Sequence, residues 1–104
     1  EHARAWLTIK PITGPYALVT GDDGLYLRTT GTQIIVPPQS TAPFPDGAVV
    51  HIRCAGAAQL TVVQGPTVTI TTAATLKGRA QHSSIMLVHV TGDLWDLLGD
   101  LEPL

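Results

Sequence analysis

The sequence predicts an all-β fold, a small antiparallel sandwich or barrel of about eight short strands. Three observations predict it. Thr, Val and Ile dominate and recur in short runs, the β-branched composition of strands. Gly, Pro and Asp punctuate those runs at the spacing of about 8–12 residues typical of all-β domains. No window places apolar residues at i, i+3, i+4 and i+7 over three turns, which nearly excludes helix.

The first strand is expected over Trp6 to Lys10, ended by Pro11. Tyr16 to Thr20 and Leu25 to Thr30 follow, and the Gly21-Asp22-Asp23-Gly24 cluster between them has the chemistry of a hairpin turn. Thr32 to Val36 stops at Pro37-Pro38, because proline cannot donate to a ladder. The stretch from Pro37 to Gly47 reads as an ordered, exposed loop, since its prolines fix φ and lower the entropy lost on folding. Within it Phe44 is expected to plug the loop into the core, the alternative being an exposed aromatic contact for a partner.

Ala48 to Ala55 has the clearest alternation, with Val50, Ile52 and Cys54 on the face expected to point inward and Val49, His51 and Arg53 on the other. An exposed turn at Gly56 to Gln59, then Gly65-Pro66, separate the strands Gln59 to Gln64 and Thr67 to Thr72. A closing hairpin, Ser84 to Val90 and Leu94 to Leu98, turns on Thr91-Gly92-Asp93. Leu60, Val62, Ile85, Leu87, Trp95 and Leu97 complete the expected core or subunit contacts. No repeat long enough for a solenoid is visible.

At 104 residues the chain reads as one domain, 1–104, with residues 1–15 as an N-terminal arm or anchor. It begins without Met, which reads as a processed product or a piece of something longer. A domain this small buries only about 60–70% of its unfolded surface. Its single cysteine allows no internal disulfide, and no paired Cys/His spacing marks a structural zinc site. Oligomerisation is the remaining route to stability. Charge points the same way: 13% of residues are charged against about 25% in ordinary domains, with 44% hydrophobic, so part of the surface is expected to lie under another chain. A net charge of −2 gives no basic footprint for nucleic acid or an anionic membrane. No apolar run reaches the roughly 20 residues that span a bilayer.

Reactive side chains are present but not in catalytic patterns, and no cofactor or metal is expected. His51 and His89 fall mid-strand without HxH or HxxxH spacing, and read as partly exposed or interface histidines. Cys54 sits in an apolar strand, where cysteine acts as a small buried hydrophobe. Ser83, Ser84, Asp93 and Asp96 supply residue types of a hydrolytic triad without a nucleophile elbow. Asp22-Asp23 reads as a solvated turn pair, and phosphate-loop or dinucleotide fingerprints are missing. Small β domains also bind glycans through aromatic faces, which makes Trp6, Tyr16 and Phe44 the candidate receptor or partner contacts.

One ordered series of motifs resembles a β module found near the ends of bacteriophage and prophage structural proteins, including tail fibres and minor tail proteins. It runs from Val36-Pro37 through Phe44-Pro45-Asp46-Gly47 and the Ala48 to Ala55 strand to Gly56-Ala57-Ala58-Gln59-Leu60-Thr61-Val62. Leu76-Lys77-Gly78-Arg79-Ala80-Gln81, Ser83-Ser84 and Trp95-Asp96-Leu97-Leu98-Gly99-Asp100-Leu101 follow. The likeness covers roughly Ala17 to Leu101; Pro66 and Cys54 depart from it, and residues 1–16 have no counterpart. The resemblance implies a non-enzymatic virion component, commonly a homotrimer, that contacts other virion proteins or a host surface glycan or protein. A capsid decoration or head-fibre protein and a glycan-binding module are the alternatives.

Overall fold

The computed structural model describes residues 8–104, and among them nine strands and no helix. Six strands form one sheet: β1 (Thr8–Ile12), β3 (Leu25–Thr29), β5 (Val49–Cys54), β8 (Ser84–Thr91), β9 (Leu94–Gly99) and β7 (Thr69–Thr71), in that spatial order. Three more, β2 (Tyr16–Ala17), β4 (Gln33–Val36) and β6 (Thr61–Gln64), form a second sheet. All-β character is as expected, but the antiparallel arrangement is not. β1, β3 and β5 run parallel, as do β2, β4 and β6, and β7 runs parallel to β9. Only β5–β8 and β8–β9 are antiparallel.

The physical reason is the path of the chain. Parallel neighbours require a crossover, and here the crossover is a strand of the other sheet. The chain thus winds through three stacked coils, β1–β2, β3–β4 and β5–β6. Gly21-Asp22-Asp23-Gly24 is therefore a corner between sheets and not a hairpin turn. Alternation records which side of a strand is buried, and that record is the same whichever way its neighbour runs. The repeat itself is irregular: Thr8 pairs with Leu25, a step of 25 − 8 = 17 residues, whereas Tyr26 pairs with His51, a step of 51 − 26 = 25. The longer coil carries the proline-rich loop, so no fixed period is visible in the sequence.

Glycine sets the coil spacing at one corner. A Cβ on Gly31 would lie 2.2 Å from the Gly14 carbonyl oxygen, and one on Gly56 would lie 2.6 Å from that of Thr30. Neither position has room for a side chain. The closing hairpin β8–β9 then covers the last coil, with a register shift between His89 and Thr91.

One core lies between the sheets. Val50, Ile52, Cys54, Leu60, Val62, Ile85, Leu87, Trp95 and Leu97 are all buried as expected, and Ile12, Leu18, Leu27, Ile34 and Val36 join them. Each fully buried aliphatic side chain of this size contributes about 1.5–3 kcal/mol. The 56–59 turn is largely exposed, but the 37–47 loop is not simply so. Pro37 and Ala42 are buried, and Phe44 plugs the core edge-on to Trp95 with ring centroids 5.2 Å apart. Gln39 holds the plug, donating from Nε2 to the Phe44 carbonyl and accepting the Phe44 N–H at Oε1.

Candidate functional site

Most of the chemistry-bearing side chains are occupied in holding the coils together. Asp22, expected in solvent, is buried and is a correction to the solvated-turn reading. Its Oδ2 accepts the Tyr16 hydroxyl at 2.8 Å and the Val19 N–H at 2.9 Å, and its Oδ1 lies 2.8 Å from Lys10 Nζ. The hydrogen bond that Lys10 donates to Asp22, then the one it donates to Tyr16, holds its ammonium above the ordinary pKa, while burial pushes the Tyr16 hydroxyl up. Strand β1, strand β2 and the following turn are locked by this triad. Lys10 Nζ also lies 4.9 Å above the centre of the Tyr16 ring, covering a face that sugar contact would need.

His89 is fully buried and not at an interface edge. Its Nδ1 sits 3.0 Å from the Pro45 carbonyl oxygen and its Nε2 2.8 Å from that of Gly92. Both partners are acceptors; a neutral ring donates to one of them and only the imidazolium to both. His51 points to the opposite side of the same sheet, so the two histidines share no site. Among the described residues no cluster of three His, Cys, Asp or Glu is placed to hold a metal.

Cys54 is buried as expected, and burial first, then the Asp100 charge, pushes its thiol up, away from nucleophilic thiolate. Ser83 donates to Asp100 Oδ2 at 2.9 Å, and Arg79 clamps the same carboxylate with Nε and Nη2. No imidazole is bonded to this serine among the described residues, so the triad ingredients do not meet. Asp93 and Asp96 face elsewhere.

Asp93 ties the proline-rich loop and the β6–β7 turn to the hairpin, accepting the Gln39 N–H at 2.8 Å and the Thr67 hydroxyl at 2.7 Å. The Gln39 bond first, and then Thr67, hold its carboxyl below the ordinary value of 3.8. A lowered folded-state pKa gives stability that is present above the unfolded value and lost as pH falls through the folded one. The thermal midpoint of wild type should therefore exceed that of Asp93→Asn at neutral pH, and the gap should close as pH drops below about 4. A gap that stays constant from pH 7 to pH 2 would show that the carboxylate is not the cause.

One surface with exposed apolar side chains is the outward face of the six-stranded sheet. Register places Ile9, Tyr26, His51, Met86 and Leu98 in one row across β1, β3, β5, β8 and β9. Val49, Val88 and Asp96 make a second row, Pro11, Arg28, Arg53 and Ser84 a third. An open sheet face normally alternates to polar side chains; this one carries an apolar band of Ile9, Val49, Met86, Val88 and Leu98 between Arg28, Arg53 and Asp96, with Ile9 61% and Leu98 44% exposed. Beside Leu98 the face runs into an open groove of about 660 Å³, bounded by Thr71 to Ala74, Asp96 and Leu101. The outward positions of β5 and β8 carried the signal for this face, but only the strand register shows that they line up with those of β1, β3 and β9.

The aromatic contacts proposed from sequence fare differently. Phe44 is buried and Tyr16 half-buried within the Lys10–Asp22 triad, while Trp6 lies outside the described residues. No protein-family model, curated protein or solved structure matches the chain.

Proposed function

We propose that the chain is a non-enzymatic structural module of a bacteriophage virion, a homotrimeric tail-fibre or minor-tail element that works by assembly. The observation that carries this reading is the apolar outward face of the six-stranded sheet, which leaves hydrophobic side chains uncovered on a chain with little charge. An exposed apolar patch of this kind marks a protein contact surface. The reactive groups support it from the other side: Asp22, His89, Cys54, Asp93 and Asp100 are engaged in packing, hydrogen bonds or ion pairs that stabilise corners and loops. The ordered motifs from Val36-Pro37 to Trp95–Leu101 supply the virion context by resemblance.

The test is location. Particles from the phage or prophage encoding the chain, labelled with gold-conjugated antibody, should carry label on the tail or its fibres. Label on the capsid would move the module to head decoration, and particles wholly without the chain would overturn the virion reading.

A further inference from the structure

We infer that copies of this chain join through that outward face, the β1–β3 corner of one copy docking into the β7–β9 groove of the next. The inference rests on the self-associating reading above and names the contact that would make it. Two complementary features lie at opposite ends of one sheet. At the β1 end Ile9 projects as the most exposed large apolar side chain within a strand, and Arg28 stands one row further along β3, opposite Pro11. At the other end the groove opens beside Leu98, with Asp96 on its rim.

Distance prevents a chain from satisfying itself. β1 and β9 are four strand spacings apart, about 19 Å, so Ile9 cannot reach its own groove. Charge supports the same pairing. Arg28 lies directly opposite Arg53 across β3–β5, a like-charge pair that destabilises the sheet slightly. Arg53 donates to Ser84 Oγ at 3.1 Å, whereas Arg28 has no acidic partner among the described residues. Asp96 is the acid on the same face, hydrogen-bonded by Thr71 and otherwise open. A neighbour's Arg28 over Asp96 relieves the cationic pair and gives the apolar contact a register.

A knob and a groove at different places on one subunit make a heterologous contact, and a rotation of one third of a turn at each contact closes it into a ring of three. Pro11 agrees with a face contact and not with strand addition, because it removes a donor from β1.

Charge exchange read by light scattering tests this. Arg28→Asp and Asp96→Arg should each weaken association at least about tenfold, and the double exchange should restore it. Ile9→Lys, at an exposed position, should also dissociate the oligomer, with circular dichroism confirming that each variant is folded. Oligomers unchanged by all three single substitutions would overturn the docking assignment while leaving self-association standing. Folded single variants whose double exchange stays dissociated would overturn the Arg28–Asp96 pairing. A monomeric wild type would overturn the self-associating reading itself.

Discussion

Gly31→Ala should cost about 3 kcal/mol or more, an overpacking penalty at the top of the usual range, whereas Gly14→Ala should cost only about 1 kcal/mol. The two glycines touch each other, so the asymmetry is the informative part. A Cβ on Gly31 would meet the carbonyl oxygen, carbonyl carbon and nitrogen of Gly14 at 2.2, 2.7 and 2.9 Å. All three atoms are backbone, and no rotamer change moves them aside. A Cβ on Gly14 meets nothing within 4 Å, and its cost is that of a positive φ, +73°. Because the contact exists only where one coil corner lies against the next, urea midpoints of the two variants report on the coil directly. Equal effects would mean that the corners do not stack.

Trp95→Ala should be at least as damaging, about 3–5 kcal/mol, a large share of the roughly 5–15 kcal/mol available to a domain of ordinary stability. Trp95 is 1% exposed and contacts the Phe44 ring on one side and the His89 ring, 4.9 Å away by centroid, on another. Its loss removes a large apolar surface and also the wall against which the loop plug and the imidazole are seated. The variant should show a lowered urea midpoint and faster proteolysis within 37–47, where Phe44 would lose its anchor. Trp95→Phe should retain part of the stability because it leaves a ring in the site. A Trp95→Ala variant with wild-type stability and loop protection would show that the plug is held by other contacts.

The positions of strands and the inward faces of β5, β8 and β9 were readable, because alternation is a local record of burial. His89 could have been read too. Ile85 and Leu87 point inward on the same strand, and a residue two further on shares their face. What the chain did not disclose was direction. The Gly-Asp-Asp-Gly cluster has the composition of a hairpin turn, yet it joins two sheets, and its Asp22 is buried only because the fold brings Lys10 and Tyr16 against it. The coil went unseen for a related reason: its steps of 17 and 25 residues share no period. Phe44 was the opposite case, a lone aromatic between prolines whose burial tendency was enough to place it.

The outward face also eluded pattern reading. Ile9, Tyr26, His51, Met86 and Leu98 come from five strands scattered through the chain, and nothing local relates them. Low charge raised the expectation of a covered surface; only the register brings these five side chains into one row. The same register sets the Ile9 corner and the groove beside Leu98 at opposite ends of the sheet.

The most direct test of assembly through this face is the solution mass of the wild-type protein at micromolar concentration, measured by light scattering on a sizing column. A particle of three times the 11.0 kDa chain is the predicted result. A clean 11.0 kDa monomer would contradict it and leave the apolar face without a partner copy.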